Sequence, residues 1–568
     1  MTTPSANFAS DHAEDRARGG IGSVVRLLGP ALVLIAAVLI VRCVYLFLAC
    51  PYDLSEDEAF YWDWSRNLAW SYNTKGPGIA WSIRAATEVL GTSMASVRMV
   101  AVVSSAVCML AVAGVAVRVA RLGGLSVRTQ SRAGLIGAAL IALMPGLQVT
   151  GLISTIDGPY CACWALAAAL ALRGLSDERA RWTWIAFGAL VGVGFLFKYT
   201  MLMLLVGVVL AVVVNRAWRA RVRQRLVWVA CGLVVMGVVG LLPVLVWNAQ
   251  HEWATVKHLL SHLGVRFDGT APAAGAPAVA AAKEPWSIRF FAEFVGAQIG
   301  IVGGAAVVLI AGAWWALRDK AMTAAGALVW FSLPLLAMYL GIALMQEAEG
   351  NWAIAAFVTL APIAGVWCAR FATNAGLREA GDEVSKAPRW RFAAWHGSVI
   401  VGVVTGLGML RLDLVQASLR GVSEKAAKLV PVGRIIGASE MAREIDRRLD
   451  ELRKSTGQEP FVMVQHYGRA SQMAFYLRNQ PKVICASSFV GGGRRVQQDF
   501  WPDHRPDWPG LIGRPAVVVD SFDQAEIWRG CFERVTPIGE LPGGTRGTRF
   551  GFICEGYKGL SAPANVGY

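Results

Sequence analysis

The sequence predicts a polytopic α-helical membrane protein of about eleven transmembrane helices, at most about thirteen, followed by an external C-terminal α/β or α+β domain. Three observations predict it. Of 568 residues, 55% are hydrophobic and 16% charged, against roughly 45–50% and about 25% in an ordinary soluble domain. Apolar runs of the roughly 20 residues needed to cross about 30 Å of hydrocarbon recur from Val24 to Leu410. Arginines collect in the short segments between those runs, and the positive-inside rule turns their positions into an orientation. Disorder and a soluble globule are excluded. The net charge of +15 reads as a cytoplasmic face, so no nucleic acid partner is expected. The ten Cys form no C-x-x-C, and the seven His no H-E-x-x-H, which argues against a disulfide scaffold or a standard metal enzyme.

Residues 1–23 read as a cytoplasmic tail with Arg16 and Arg18. The first run, Leu27 to Cys50, is too long for a signal-peptide core and lacks an A-x-A-type cleavage site, so it is a retained helix entering from inside. The loop 51–96 carries Asp53, Glu56, Asp57, Glu58, Asp63 and Glu88 with few bases, and so faces outward. After the second span, Arg118, Arg121, Arg128 and Arg132 mark the cytoplasm. A third span, Ala133 to Val149, leads to a short outer loop with Asp157, and a fourth ends at Arg173. Trp182 to Asn215 lies between basic segments at both ends, which requires a hairpin with its outer tip at Lys198 and Tyr199.

A seventh span, Leu226 to Trp247, exits to Asn248–Trp286, whose Ala/Pro/Gly tract Gly269–Ala282 reads as a flexible loop. Spans over Phe290–Leu317, Met322–Met345 and Trp352–Ala369 put Arg318 and Lys320 inside and Glu347 and Glu349 outside. The mixed-charge segment Arg370–Arg391 returns inside. The last span, Phe392–Leu410, exits, so the membrane domain is 24–411 and the external domain 412–568. In that tail Glu440–Leu452 has the pattern of an amphipathic helix, and Pro460–Gln465 and Pro515–Val519 of buried strands. Cys485, Cys531 and Cys554 lie there, where an external location permits one disulfide.

Most unusual polar residues at span ends share the outer side: Asp57, Glu58, Lys75, Asp157, Lys198, Asn248, Glu347 and Glu349. Such residues are solvated anchors or functional groups, and their clustering favours function. In the first outer loop Phe60, Tyr61, Trp64 and Leu68 have helical spacing behind three acids, which predicts a short helix lying in the interface. Acids at a helix N-terminus also stabilise the helix itself. His258 and His262 are spaced i, i+4, but no third ligand is near, so no metal site is assigned.

Asp57-Glu58-Ala59, Tyr61-Trp62, Trp64-Ser65 and the Tyr-x-x-Lys-x-Pro-x-x-x-Trp pattern from Tyr72 to Trp81 resemble the first external loop of bacterial C-type glycosyltransferases that use polyprenyl-phosphate sugars. Protein O-mannosyltransferases and the lipid A aminoarabinose transferase belong to that superfamily. Further blocks agree in order: Ser154–Pro159 with Trp164, Gly194–Thr200, Pro243–His251, Gly350–Trp352 and Arg495–Trp501. The chain departs from the family at Gly76-Pro77, where Pro-Pro is usual, and at Ala353, where proline often follows the Asn-Trp pair.

The resemblance implies transfer of a monosaccharide from a polyisoprenyl phosphate to an envelope acceptor, a lipid, glycan or protein, on the outer face of the bacterial inner membrane, with inversion. That reaction needs a carboxylate for the acceptor proton and cations for the leaving phosphate. The resemblance makes Asp57 the base, with Glu58 orienting the acceptor or structuring the loop. Lys75 falls at the donor-phosphate position, and Lys198, beside Tyr199, is the second cation. Asp157 is a second carboxylate able to hold acceptor, sugar or a divalent cation. Asn248 and Gln250 are placed to bond sugar hydroxyls, and Arg494 and Arg495 to close over the sugar or phosphate. The rival class is a transporter or flippase of envelope precursors, which internal repeats or charges in mid-helix would favour.

Overall fold

A computed structural model describes residues 21–262, 288–372, 389–430, 432–490, 495–543 and 547–561. The tail arginines Arg16 and Arg18, the Gly269–Ala282 tract, most of Arg370–Arg391, and Arg494 lie outside the described residues. The chain forms two compact units, each assembled from three separate stretches. One takes Met1–Leu48, Met99–Leu241 and Glu284–Met409; the other takes Ala49–Arg98, Leu242–Lys283 and Leu410–Tyr568. The first acidic loop therefore belongs to the same unit as the C-terminal tail, a grouping invisible in the linear order.

Among the described residues eight helices are long and apolar enough to cross a membrane: Val25–Ala49, Met94–Leu122, Asp157–Ser176, Leu226–Gln250, Ile288–Arg318, Lys320–Met345, Gly350–Arg370 and Arg389–Leu410. The pair Tyr199–Val214 and Arg216–Arg223, bent by 113°, makes a ninth if counted as one span. One expected span is interrupted, and one expected break is found where the sequence puts it. The run Ala133 to Val149 becomes a helix over Val127–Leu143 and a separate turn of helix over Pro145–Val149. The break is at Met144, held extended before Pro145, as a residue preceding proline must be. The run Trp182 to Asn215 splits at Lys198, whose backbone is extended (φ −149°, ψ 124°) between helix Thr183–Phe197 and a single tight turn, Tyr199–Met201. Its two arms do not form a simple paired hairpin: Thr183–Phe197 packs on Asp157–Ser176 and Leu226–Met236, and Leu202–Val214 on Thr323–Met345.

Helix Thr183–Phe197 meets its neighbour backbone to backbone. A Cβ on Gly188 would lie 1.9 Å from the Gly232 carbonyl oxygen, and one on Gly240 would lie 2.7 Å from that of Gly192. Gly188 and Gly192 have the G-x-x-x-G spacing that lets membrane helices approach this closely. The wider turn over Gly237–Leu241 keeps Gly240 on the seam.

The other unit contains a five-stranded sheet in the order β2-β1-β3-β5-β4, with β1 Phe461–Val464, β2 Ile484–Cys485, β3 Ala516–Asp520, β4 Phe532–Glu540 and β5 Phe550–Tyr557. Strands β1, β2 and β3 are parallel, and β5 runs antiparallel to β3 and β4. The all-apolar runs read as buried strands are β1 and β3, both buried throughout, as expected of central parallel strands. Phe461, Met463, Val518, Trp528, Phe532, Phe552 and Tyr557 form the core, and Trp528 donates its indole N–H to Asp520 at 2.9 Å. The amphipathic helix spans Ala438–Thr456. Cys485, Cys531 and Cys554 are buried free thiols, so the disulfide that an external location permits is not formed.

Candidate functional site

The acidic loop resolves into residues with different tasks. Helix Glu56–Arg66 begins at Ser55, whose hydroxyl accepts the Glu58 N–H at 3.3 Å while the Glu58 carboxylate accepts the Ser55 N–H at 3.0 Å. This reciprocal capping box satisfies two helix-end donors at once. The same carboxylate is gripped by Arg98, Nε to Oε1 at 2.9 Å and Nη2 to Oε2 at 3.0 Å, with side chains only 3% and 0% exposed. Arg98 also donates to the carbonyls of Tyr52 (3.3 Å) and Asp53 (2.7 Å). Glu58 is thus fully engaged in holding the loop. Glu56 pairs with Arg469 at 3.4 Å. Asp57, between them, is exposed and makes no hydrogen bond or ion pair among the described residues.

The aromatics of this helix do not lie on a bilayer surface as expected. Trp64 is fully buried, stacked on Tyr72 with ring centroids 4.3 Å apart. Phe60 meets Tyr467, and Trp62 meets Phe475 edge-on at 4.9 Å. Packing against helix Tyr467–Tyr476 takes up surface that an interfacial helix would give to lipid; of Phe60, Tyr61, Trp64 and Leu68, only Leu68, beyond the helix end, stays exposed. On the same helix Asp63 is buried, accepts from Ser471 at 3.3 Å, and lies 3.5 Å from Arg66. Burial raises its carboxyl above the ordinary value of 3.8, with His504 and Arg66 pulling the other way.

Lys75 closes the turn that begins at Tyr72: its carbonyl accepts the Tyr72 N–H at 3.0 Å and the Ser71 hydroxyl at 3.3 Å. Its half-buried side chain makes no ion pair among the described residues and sits 5.8 Å from the centre of the Tyr61 ring. Tyr61 is one helical turn beyond Asp57, so acid and ammonium share a helix face. Asn248 is fully buried, donating to the Val244 carbonyl at 2.8 Å and accepting the Thr255 N–H at 3.0 Å; it braces Thr255, whose hydroxyl donates to the Tyr72 carbonyl at 2.9 Å. That engagement leaves no face of Asn248 toward a sugar. Arg495 pairs with Glu252 at 3.2 Å and lies over Phe500, and its carbonyl accepts from Asn73.

Asp157, Lys198 and Tyr199 belong to the other unit. Asp157 opens helix Asp157–Ser176, where a carboxylate is favoured by the helix dipole. It is 2% exposed. Lys198 donates to Oδ1 at 2.8 Å and the Asn351 amide to Oδ2 at 2.6 Å. The Lys198 ammonium also lies 5.5 Å from the Tyr160 ring, and Tyr199 packs on Phe195. A divalent cation does not fit here, because the ammonium already occupies the place it would take on the carboxylate. Among the described residues no group of three or more His, Cys, Asp or Glu could hold a metal. Glu347 and Glu349 are exposed.

Two residues of these networks escaped the sequence reading. Arg98 was absorbed into an apolar span, although an arginine entering such a run is a signal in itself. Asn351 sits inside the Gly350–Trp352 block, but an uncharged side chain gives no electrostatic cue. The capping box Ser55-Glu-Asp-Glu58 is legible as S-x-x-E and would have separated Glu58 from Asp57.

The family model described as dolichyl-phosphate-mannose-protein mannosyltransferase matches residues 74–247. The lipid A galacturonosyltransferase RgtD of Rhizobium johnstonii is 30% identical over 334 residues, which are 57% of this chain and 63% of that protein. The match therefore spans less than two thirds of the relative's length. Crystal structures of ArnT from Cupriavidus metallidurans, in the apo state and bound to undecaprenyl phosphate, superpose with TM-scores of 0.59 and 0.58 at 17% and 18% identity. Each covers 92% of this chain and 97% of the other. The fold is shared.

Proposed function

We propose that this chain, which resembles the polyprenyl-phosphate-sugar-dependent C-type glycosyltransferases, is itself an integral-membrane glycosyltransferase of the bacterial inner membrane. It moves one monosaccharide from a polyisoprenyl-phosphate donor to an envelope acceptor at the outer face. The likeness to a lipid A galacturonosyltransferase favours a lipid acceptor over a glycan or protein. The arginine-rich segments support a topology of about eleven spans with 1–23 inside and 51–96 and 412–568 outside.

Asp57 takes the proton from the acceptor hydroxyl as its oxygen attacks the anomeric carbon. The bond from that carbon to the phosphate oxygen breaks, its electron pair leaves with the phosphate, and configuration inverts. Lys75 and Lys198 stabilise the charge that develops on the phosphate. Tyr199 and Arg495 bound the sugar and phosphate. Asp157 orients Lys198, while Glu58 and Asn248 position the loops that carry Asp57 and Lys75. The observation that carries this reading is Asp57: an exposed carboxylate with no partner among the described residues, on a helix whose start is pinned by the capping box and the Glu58–Arg98 pair.

Mass spectrometry of envelope lipids and glycans from cells with and without the protein tests the reading. Wild type should add a single-sugar increment, and Asp57→Asn should lower the transfer rate by roughly 10²–10⁴-fold at unchanged membrane abundance. Near-normal transfer by that variant removes Asp57 from the role. For the topology, a cysteine at Ala276 should react with an impermeant external reagent and one at Gly124 should not.

A further inference from the structure

The chain carries a row of cations that the transfer reaction does not use. Helix Arg216–Arg223 follows the apolar helix Tyr199–Val214 after a bend of 113°. A turn of that size from a helix crossing the bilayer lays the next one close to the membrane plane. The chain is apolar up to Val214 and again from Leu226, where the span Leu226–Gln250 begins. Val209, Val213 and Val214 before the short helix, and Leu226 and Val227 after it, are exposed. Among the described residues no protein covers them, so this side of the chain faces lipid. Arg216 comes directly after the chain leaves hydrocarbon and Arg223 shortly before it returns, which puts the helix between them at headgroup depth.

One face holds this helix to the protein. Asn215 caps it by accepting the Trp218 N–H at 3.2 Å, and Trp218 is buried. Arg221 donates to the Leu175 carbonyl and pairs with Glu178 at 3.2 Å. Arg225 donates to the carbonyls of Gly174, Asp177 and Glu178 at 2.8, 3.1 and 2.6 Å, so both arginines satisfy the carbonyl end of helix Asp157–Ser176. The opposite face carries Arg216, Arg219 and Arg223, spaced i, i+3 and i+7 and all exposed. Their side chains make no hydrogen bond or ion pair among the described residues. Asp177 and Glu178 are already paired, with Arg173 at 3.9 Å and with Arg221. Like charges at this spacing repel, and cations in the first turn, here Arg216 and Arg219, oppose the helix dipole. The helix gains nothing from the three charges by itself; an anion laid along them relieves the repulsion.

We propose that Arg216, Arg219 and Arg223 form a docking face for the headgroups of anionic phospholipids. At headgroup depth the lipid phosphates are the anions within reach, and an anionic leaflet attracts each basic residue near its surface. The planar fork of arginine matches phosphate geometry. The inference holds for either orientation of the chain and is independent of the transferase reading.

The full chain in dodecyl maltoside is titrated with phosphatidylglycerol, or with phosphatidylcholine as the phospholipid without net charge, and native mass spectrometry counts bound lipid. The triple variant Arg216→Gln/Arg219→Gln/Arg223→Gln should weaken phosphatidylglycerol binding by about tenfold or more and leave phosphatidylcholine unchanged. The control Arg443→Gln/Arg447→Gln/Arg453→Gln removes the same charge from exposed positions of helix Ala438–Thr456 and should bind phosphatidylglycerol as wild type does. Unchanged phosphatidylglycerol binding by the first variant, an equal loss in the control, or an equal loss of both lipids overturns the proposal. If the first variant does not fold, the single variants Arg216→Gln, Arg219→Gln and Arg223→Gln replace it. Each should weaken phosphatidylglycerol by roughly twofold to fivefold, and wild-type affinity in all three overturns the proposal.

Discussion

Removing the Glu58 carboxylate while leaving Arg98 in place separates structural support from chemistry in the acidic loop. The pair is bidentate at 2.9 and 3.0 Å with both side chains buried. Stripping one partner from such a pair costs about 3–5 kcal/mol, because the other charge is left buried and alone. Glu58→Ala also forfeits half of the capping box, worth about 1 kcal/mol. The loss falls on helix Glu56–Arg66 and its approach, so amide hydrogen exchange is the direct assay. Protection over residues 56–66 should fall roughly 100-fold or more, and transfer should fall with it because Asp57 loses its platform. In Asp57→Asn, by contrast, exchange should stay as in wild type. The double variant Glu58→Leu/Arg98→Met removes both charges and should recover much of the protection. Unchanged exchange in Glu58→Ala, or a double variant less protected than the single, would refute the reasoning.

Three further outcomes are expected. Lys198→Met leaves Asp157 buried with only the Asn351 amide and should lower thermal stability by about 3–5 kcal/mol, with Lys198→Met/Asp157→Asn more stable than Lys198→Met alone. Burial holds the Asp63 pKa above 3.8 in the folded protein, so the native state binds the extra proton and stability falls as pH rises from that value through the raised native one. Asp63→Asn should therefore gain on wild type across that window, read as melting temperature against pH, and a gap that narrows as pH rises would contradict this. Gly437, at φ 99°, would carry a Cβ 2.0 Å from the Gly543 carbonyl oxygen; Gly437→Ala should cost about 1–3 kcal/mol from its backbone conformation alone, seen as a lower melting temperature.

The sequence was most informative where physics is one-dimensional. Apolar length marked the spans Leu27–Cys50, Met322–Met345 and Phe392–Leu410, and a helix stands at each. All-apolar runs flanked by proline marked β1 and β3. What failed was continuity at Pro145: an apolar run says how much chain suits lipid, not where a proline interrupts it, whereas the basic segments at both ends of Trp182–Asn215 did put the break at Lys198. The candidate residues were legible as charges, but not their partners. Asp157 and Lys198 were each singled out, while their 2.8 Å contact joins positions 41 residues apart. Adjacency alone does not tell Asp57 from Glu58; the S-x-x-E signature from Ser55 to Glu58 does, because it assigns Glu58 to the helix start. The amide of Asn248 was read as a ligand because its type suits sugars; the fold consumes it internally.

The glycine seam bears on tolerance to change. Backbones in contact at Gly188 and Gly232, and again at Gly192 and Gly240, leave no room for a side chain on either helix. A single methyl group at any of these positions forces the two helices apart, and the loss of packing then runs along the length of Thr183–Phe197 rather than staying at the substituted residue.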